Sequence, residues 1–356
     1  MKAALVILNW NTKGYLKSFL PALIQSCRAL GCDKDGGALA EVVVADSSST
    51  DGSMNFMKEA HPDVLTLPLY KNYGFSGGYN RAFAALEAKG MHPEYYILIN
   101  SDICVGGNWL APLVSWMDKH PECGVCGPKL HALMKIGKSY VKSSNFEYAG
   151  AAGGLLDRYG FPYCRGRVRK KTATDHGQYD EITDVLWITG ACMMVRASLW
   201  KKLGGLDERF FAHMEEIDFC WRAQLAGYKV TVVPESLVWH LGGGTLPQNS
   251  PWKLQLNFRN NLLMLENNLP DTYRTLGFSA EKSAKKSRNL LAFRRFLDNC
   301  ARIVYFCTGK LQYARAVSVA HQEWAELREQ APARPPIAEG ATVAGLTKNC
   351  ILFKKV

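Results

Sequence analysis

Four apolar segments, each followed by polar residues, most constrain how this chain of 356 residues can fold. They occupy residues 3–8, 41–46, 63–69 and 95–100, and the stretches between them carry apolar residues at helical spacing. Strands that alternate with helices through short connections are typical of a parallel sheet covered by helices on both faces. The pattern therefore predicts an α/β fold built on a mostly parallel sheet.

Polar residues cluster where these strands end. Asn9, Asp46 and Asp102 follow three of the strands, and Asn72 begins the loop after another. In open α/β sheets a ligand binds beyond the carboxyl ends of the strands. A carboxylate there can accept hydrogen bonds from a nucleobase or ribose, and the Ser/Gly turn after Asp46 allows close approach. Taken alone, Asp102 is also explained as a turn or helix-capping residue.

The segment "NYGFSGGYN" at residues 72–80 is a glycine-rich loop before a helix. We expect Gly77 and Gly78 to open that helix, whose free N–H groups can face a phosphate or a sugar. No G-K-[ST] follows, so the loop is not a P-loop, and it lacks the dinucleotide-binding spacing. An ordinary strand-to-helix turn is the alternative.

Three acids, Glu215, Glu216 and Asp218, stand within four residues at the start of a predicted helix. The helix macrodipole tolerates acids there, which is the purely structural explanation. Asp218 and Arg222 form an i, i+4 pair that can stabilise the helix. Glu216 points about 100° away from each neighbour and is free to act as a base. The expected buried stripe of this helix consists of Ile217, Cys220, Trp221 and Leu225.

Positive charge is concentrated in two segments. The net charge is +11, with six cations and no acid in residues 158–171, and seven cations and one acid in residues 282–302. Such a balance favours an anionic partner, which can be a nucleic acid, a membrane surface or a phosphorylated substrate. The interleaved basic and aromatic residues at 288–296 favour nucleic acid only weakly, so we predict no nucleic-acid partner. A solvated basic face is the alternative for both segments.

The second basic segment also carries apolar residues at helical spacing: Phe293, Phe296, Leu297, Cys300 and Val304. An apolar stripe flanked by cations suits peripheral contact with an anionic membrane. The alternative is that the stripe packs on the rest of the protein and the cations are solvated. No apolar run approaches the roughly 18–20 residues of a spanning helix. The eleven cysteines and the lack of a signal-peptide pattern predict free thiols in a reducing cytoplasm.

Seven motifs follow one another in the order "VILNWNT", "VVVADSSSTDGS", "NYGFSGGYNRAF", "YYILINSDICV", "ITGACMMVR", "GGLDERFFAHMEEIDFCWR" and "HLGGGT" with "NFRNNLLML". Each is weak alone, but the ordered set resembles the inverting glycosyltransferases of family 2 with the GT-A fold, in the branch of bacterial rhamnosyltransferases. The resemblance covers roughly residues 3–270. It implies a nucleotide-sugar-binding half at 1–105, an acceptor and catalytic half at 106–270, and a basic helical appendage at 271–356.

The resemblance implies a metal site at Asp102. This residue matches the last acid of the family's D-x-D-like motif, here Asn100, Ser101 and Asp102, so that Mg²⁺ or Mn²⁺ would bridge it and a sugar diphosphate. The chain keeps only one acid of that motif, and we expect His240 to assist. Mg²⁺ commonly takes few protein ligands besides phosphates, so one acid suffices. The glycines after His240 are expected to approach the diphosphate.

The family's general base is the second acid of an E-D pair, which matches Glu216, with Glu in place of the usual Asp. Sugar transfer needs the acceptor hydroxyl deprotonated, and one positioned carboxylate can do this. We expect Glu215, Asp218 and Arg222 to support it, and Asp46 matches the acid that binds the nucleobase. The other expected nucleotide-sugar residues are Asn9, Asn72, Gly77, Asn80, Arg81 and Ser101.

The implied activity is inverting, metal-dependent transfer of a sugar, with rhamnose as one candidate, from a dTDP- or UDP-sugar. The acceptor would be a glycan or a polyprenyl-linked glycan in bacterial polysaccharide synthesis, at the inner face of the cell membrane. A sugar nucleotidyltransferase is an alternative. Such enzymes usually have a Gly-rich loop with Arg or Lys just after the first strand, where this chain has "NWNTKGYL". A catalytically inactive homologue is the other alternative, because the metal motif has a single acid.

Overall fold

The first third of the chain forms a parallel sheet with helices between its strands. The computed structural model describes residues 1–168, 171–242 and 250–348. The first four strands are β1 (Ala3–Asn9), β2 (Ala40–Asp46), β3 (Leu65–Pro68) and β4 (Tyr95–Ile99). The helices between them are α1 (Lys13–Leu30), α2 (Ser53–Ala60) and α3 (Gly74–Ala88). The strands pair in the order β3-β2-β1-β4, all in parallel, which confirms the predicted strand–helix alternation.

The rest of the chain extends this sheet with mostly antiparallel pairs. The further strands are β5 (Ile103–Val105), β6 (Cys123–Ile136), β7 (Ser139–Phe146), β8 (Gly154–Leu156), β9 (Pro162–Cys164), β10 (Arg167–Val168), β11 (Lys171–Thr172), β12 (Thr183–Asp184), β13 (Cys192–Arg196) and β14 (Lys229–His240). The further helices are α4 (Leu110–Lys119), α5 (Ala197–Leu203), α6 (Glu215–Leu225), α7 (Pro251–Thr275), α8 (Ala280–Cys307) and α9 (Leu311–Leu327), with short 3-10 turns at Glu208–Phe210 and Arg328–Gln330. The main sheet runs β12-β14-β6-β13-β4-β1-β2-β3.

Both faces of the central strands are covered, because successive side chains of a strand point to opposite faces. On β1, Val6 belongs to the core that contains Phe83 of α3 and Phe219 of α6. Its neighbour Leu5 belongs to the other core, with Leu20 of α1. The strands are therefore continuous apolar runs, as expected for a sheet buried on both faces.

Strand β14 is longer than the sequence predicts. Its apolar pattern indicates a strand at residues 228–234, but the strand continues to His240 because two neighbours pair with its second half. His240 lies opposite Ile103 of β5 in an antiparallel pair and opposite Ala132 of β6 in a parallel pair. These non-local pairings place His240 beside the end of β4.

Helix α6 is buried almost all round. The predicted buried stripe of Ile217, Cys220, Trp221 and Leu225 is confirmed, and burial extends beyond it to every residue of α6 except Glu216. Helix α7 packs on α6, and the segment after Arg328 returns to it, with the N–H of Ala338 donating to the carbonyl of Leu225 at 2.9 Å. The C-terminal part of the chain thus completes the environment of the acidic helix.

The proposed division at residue 270 falls inside α7, which continues through Pro270 to Thr275. Helix α7 packs on both α8 and α9, and these two also contact each other. The division into a domain at 1–270 and an appendage at 271–356 stays a prediction.

Gly154 should tolerate no side chain. A Cβ at this position would lie 1.8 Å from Cε2 of the buried Trp187. We expect Gly154→Ala to lower the free energy of unfolding by about 1–3 kcal/mol, as overpacking of a core does. Chemical denaturation measures this. Gly107→Ala is the control, since no heavy atom lies within 4 Å of its Cβ position; equal stability of the two variants would contradict the packing argument.

Candidate active site

The ends of β1 and β2 form a buried polar cluster. The register places Asn9 opposite Asp46, and Asn9 Nδ2 donates to Asp46 Oδ1 at 2.6 Å. The N–H of Ser49 donates to Asp46 Oδ2 at 2.9 Å, and the hydroxyl of Thr12 donates to Asn9 Oδ1 at 2.5 Å. The strand-end residues therefore meet as expected. Each oxygen of a carboxylate has a second lone pair, so Asp46 can still accept hydrogen bonds from a nucleoside.

The glycine-rich loop folds differently from the expectation. Helix α3 begins at Gly74, three residues before Gly77, because Gly74 adopts φ +72° and turns the chain earlier. Its first N–H groups already have partners: that of Gly74 donates to Asn72 Oδ1 at 2.8 Å. Those of Phe75 and Ser76 donate to the carbonyl of Phe211 at 2.7 and 3.2 Å. The prediction that Gly77 and Gly78 open the helix with free N–H groups is wrong; sugar binding by Asn72 and Gly77 stays a prediction.

Asn80 and Arg81 face another part of the protein. Asn80 donates to the carbonyl of Leu206 at 2.8 Å and accepts from the N–H of Leu206 at 2.9 Å. Arg81 pairs with Glu208 at 2.8 Å and stacks on the ring of Tyr73 at 3.8 Å. Both side chains join α3 to the segment before α6, and their role in nucleotide-sugar binding stays a prediction.

Asp102 and His240 meet at the end of β4 and β14. His240 Nε2 lies 3.2 Å from Asp102 Oδ1 and 3.4 Å from Asn100 Nδ2, while His240 Nδ1 lies 3.5 Å from Glu147 Oε1. Burial raises the pKa of Asp102, but the positive charge of His240 outweighs it and lowers that pKa. Burial lowers the pKa of His240, but Asp102 and Glu147 outweigh it and raise the pKa to about 10. Ser101 is buried beside them.

These residues fit a divalent cation that is shared with a substrate. Across residues 1–168, 171–242 and 250–348, no group of three or more His, Cys, Asp and Glu side chains is arranged to hold a metal by itself. Asp102 nevertheless offers an oxygen donor, and His240 in contact with it would offer a nitrogen donor once it loses the proton that its raised pKa favours, as every histidine ligand must. The buried Nδ1 of His240 makes no hydrogen bond of good geometry. Mg²⁺ is usually held by one or two carboxylates plus substrate phosphates, which matches this pair.

Asp218 is a structural charge of α6. The predicted pair is confirmed, since Arg222 Nε lies 2.7 Å from Asp218 Oδ2. Asn268 and Arg334 also donate to Asp218, at 2.9 and 3.1 Å, and no pattern in the sequence indicates either contact. Burial raises the pKa of Asp218, but Arg222 and Arg334 hold it well below its usual range.

Glu215 and Glu216 lack such partners. Oε2 of each carboxyl is buried and accepts no hydrogen bond from the described residues. Burial, together with the charge of Glu216, raises the pKa of Glu215 well above its usual value. Burial likewise raises the pKa of Glu216, to about 7. A carboxyl group with such a pKa is suited to general-base catalysis near neutral pH.

The two acidic clusters adjoin each other. The N–H of Asn100, beside Asp102, donates to the carbonyl of Ala191 at 2.9 Å. The preceding residue, Gly190, packs against Glu216, since a Cβ there would lie 3.6 Å from Glu216 Cβ. The metal-binding candidates and the base candidate therefore share one end of the sheet.

Some residues around the site were not predicted. Glu147 contacts His240, but no pattern in the neighbouring sequence indicates a role for this glutamate. Arg259 and Asn260 contact the loop before α6; they belong to the motif "NFRNNLLML", which the sequence singled out without a role. Of the three glycines expected to approach the diphosphate, Gly242 adopts φ +67°, and residues 243 and 244 lie outside the described residues.

The model of glycosyl transferase family 2 matches residues 5–201, more than half of the chain. The chain belongs to glycosyltransferase family 2. A second model, of glycosyl transferase family group 2, matches residues 163–249. The predicted family is thus confirmed.

Curated relatives name a narrower group. The N-acetylglucosaminyl-diphospho-decaprenol L-rhamnosyltransferase of Mycobacterium tuberculosis is 28% identical over 205 residues, which are 56% of this chain and 66% of that protein. Rhamnosyltransferase WbbL of Escherichia coli is 25% identical over 164 residues, 46% of this chain and 58% of that one. The match thus spans less than two thirds of either relative. These similarities confirm the rhamnosyltransferase-like branch of the family.

A solved structure supports the fold. That of GalNAc-T7 with UDP, GalNAc and Mn²⁺ has a TM-score of 0.54 and 17% identity, covering 86% of this chain and 57% of that one. The likeness confirms the predicted GT-A fold.

Glu216→Gln should lower turnover by about 10²–10⁴-fold, the usual contribution of a general base, and leave donor binding intact. Nucleoside diphosphate release measures the rate, and calorimetry measures binding of the donor. Glu215→Gln is the matched control. An inactive Glu215→Gln variant beside a near-normal Glu216→Gln variant would assign the base to the other acid.

The pH dependence provides a second readout. A base works when deprotonated, so the rate should fall as the pH drops through about 7, where burial places the pKa of Glu216. The same raised pKa makes the native state bind more protons than the unfolded state above the usual carboxyl pKa, so that stability declines as the pH rises. Glu216→Gln should weaken that decline.

Proposed function

We propose that this protein transfers a sugar, with inversion, from a nucleotide diphosphate sugar to a glycan acceptor, with the help of a divalent cation. The observation that carries the proposal is the carboxyl of Glu216, whose buried Oε2 accepts no hydrogen bond from the described residues, at the end of the sheet that also carries the Asp102–His240 pair. One end of the sheet thus offers a proton acceptor and a cation site. A nucleotidyltransferase would have no use for such a base, because it joins two phosphate-bearing substrates.

The residues divide the work between them. The Asp46–Asn9 cluster receives the nucleoside at the end of β1 and β2. Asp102 and His240 would hold Mg²⁺ or Mn²⁺, which neutralises the leaving diphosphate. Glu216 takes the proton of the acceptor hydroxyl as that oxygen attacks. A single base without a covalent nucleophile supports direct displacement, which inverts the anomeric centre.

The similarity to rhamnosyltransferases supports a narrower proposal. The M. tuberculosis relative is named for L-rhamnose transfer to N-acetylglucosaminyl-diphospho-decaprenol. An O-antigen biosynthesis protein of Myxococcus xanthus is also similar, at 25% identity over 201 residues. We therefore propose a dTDP- or UDP-sugar donor, with rhamnose as first candidate, a polyprenyl-linked acceptor, and a role in bacterial polysaccharide synthesis.

An enzyme with a lipid-linked acceptor is expected to contact the membrane, and the exposed surface of α8 supports such contact. The helix packs on the protein through a largely polar face that contains Ser283, Ser287, Leu291, Arg294 and Asp298. Its apolar face is exposed instead: Phe296 by 61%, Ile303 by 56% and Phe306 by 66%. Of the predicted stripe, Phe296, Cys300 and Val304 are exposed, whereas Phe293 contacts the ring of Tyr159. This exposure supports the membrane proposal over packing of the whole stripe on the catalytic part.

The charge of this surface also suits anionic lipid. Of the seven cations in residues 282–302, six are exposed. Arg294 is buried against Asn261 and Asp298, so its assignment to the membrane-facing surface was wrong. Arg158 of the first basic segment is near them, because the ring of Tyr159 lies 5.1 Å from that of Phe293. Each exposed cation near an anionic surface adds about 1 kcal/mol. We propose peripheral contact of α8 with the inner face of the cell membrane.

None of the helices within the described residues is long and apolar enough to cross a membrane. Because the cations of α8 are exposed, we expect salt to weaken its contact with an anionic surface.

Asp102→Asn should abolish sugar transfer and Mn²⁺ binding measured with UDP or dTDP present, since it removes the carboxylate but keeps the shape. Excess EDTA should also stop the wild-type enzyme in a screen of dTDP-rhamnose, UDP-glucose and UDP-galactose. Asp118→Asn is the control, because Asp118 pairs with Lys2 elsewhere in the protein. Full activity in excess chelator would refute the metal role and leave a metal-independent enzyme.

Vesicle binding tests α8. The protein should co-sediment with anionic liposomes at low salt and be released at high salt, and Phe296→Asp with Ile303→Asp should prevent the binding. Ile136→Asp is the control, because Ile136 is equally exposed, by 60%, on the hairpin of β6 and β7. If the wild type ignores anionic vesicles at low salt, α8 is not a membrane contact.

A further inference from the structure

The loop that leads into α6 has an unusual backbone. Phe211, His213 and Met214 all adopt positive φ, at 62°, 72° and 72°, and Met214 directly precedes the two glutamates of α6. Residues with a Cβ rarely adopt this region, which costs on the order of 1–3 kcal/mol each. Such a conformation persists only where the surroundings impose it. The side chain that imposes it is therefore a candidate for positioning Glu216.

One amide on α7 holds most of this loop. Asn260 is fully buried, and its Nδ2 lies 3.0, 2.8 and 2.7 Å from the carbonyl oxygens of Phe210, Ala212 and His213. The amide has two N–H hydrogens, which these three carbonyl groups share. Without it, the carbonyls of Ala212 and His213 would lose this donor, whereas that of Phe210 also accepts from Arg259. A buried polar group left without a partner costs about 1–3 kcal/mol, so these contacts are large enough to offset the strain.

Arg259 fixes that amide and adds a second contact. Its Nε donates to Asn260 Oδ1 at 2.8 Å, which orients the amide so that Nδ2 faces the loop. Its Nη2 donates to the carbonyl of Phe210 at 2.8 Å. Its Nη1 pairs with Glu323 of α9 at 3.0 Å, and the other oxygen of Glu323 accepts from Gln255 at 2.7 Å. Contacts thus run from α9 through α7 to the loop.

The opposite side of the loop is held by α3. The N–H groups of Phe75 and Ser76 on that helix donate to the carbonyl of Phe211, and a Cβ at Gly74 would lie 2.4 Å from the same oxygen. The loop is therefore clamped between α3 and α7, and its last residue begins the helix that carries Glu216.

We infer that Asn260 and Arg259 are positioning residues for the base, and that Glu323 of the C-terminal helices acts through them. The inference rests on the proposed function, since it concerns the placement of Glu216. It gives the motif "NFRNNLLML" a role and makes the C-terminal helices part of the catalytic machinery. Misplacing a reacting group by about 1 Å can lower the rate by about 10²-fold, so small movements of the loop matter.

The neighbouring asparagine provides a matched control. Asn261 is buried on the same helix, but it donates to the carbonyl of Gly160 at 2.8 Å and accepts from Arg294 at 3.0 Å, so it holds a different loop. We expect Asn260→Ala to lower kcat by about 10–100-fold with little change in the KM for the donor. Asn261→Ala should lose comparable thermal stability and keep its kcat within about twofold. Glu323→Gln should lower kcat in the same direction by a smaller factor.

The pH profile separates positioning from loss of fold. If the loop relaxes in Asn260→Ala, water reaches Glu216 and the midpoint of its pH–rate profile should move towards that of an ordinary glutamate. Asn260→Asp, which keeps the shape but loses the donor, should behave like Asn260→Ala. Wild-type kcat and an unchanged midpoint in both variants, while Glu216→Gln is inactive, would overturn this inference alone. An active Glu216→Gln would instead refute the proposed base.

Discussion

Desolvation of carboxyl groups around α6 is the constraint on which the rest of the structure depends. Asp218 is fully buried and ionised, which the protein sustains with Arg222, Arg334 and Asn268. Removing one partner of such a buried pair costs about 3–5 kcal/mol. Glu215 and Glu216, a few residues away, receive no comparable partners and keep raised pKa values. The same helix thus separates a charge that stabilises the fold from a carboxyl that is free to accept a proton.

This separation requires the C-terminal third of the chain. Arg334 and Asn268 both come from beyond the segment that the family 2 model matches, and so do Arg259, Asn260 and Glu323. A helix packed only on the sheet would expose one side to water, where acids keep ordinary pKa values. Because α7 and the returning segment cover that side, Glu216 is only partly exposed and its Oε2 is buried. The C-terminal helices therefore shape the environment of the proposed base, whereas the outer face of α8 is exposed.

The other end of the proposed reaction depends on strand pairing. Asp102 follows β4, but His240 reaches it only because β14 continues past its apolar part and pairs with β5. Glu147, which follows β7, is a second negatively charged residue in contact with the imidazole of His240. One carboxylate and one histidine form a weak metal site by themselves, and a substrate diphosphate would complete it. Sharing the metal ligands between protein and substrate suits an enzyme that must bind and release its metal-bound donor.

The sequence by itself determined the strand–helix alternation, the positions of Asn9, Asp46 and Asp102 at strand ends, and the Asp218–Arg222 pair. These follow from periodicity, from the geometry of parallel sheets and from contacts four residues apart. Tertiary structure decided three contacts. The first N–H groups of α3 after Gly74 donate to the carbonyl of Phe211, Glu147 contacts His240, and Asn260 donates to carbonyls of the loop before α6. Each of these joins residues far apart in sequence through carbonyl groups or buried charges. Local pattern cannot reveal them, because the energy that selects them arises only when distant segments exclude water together.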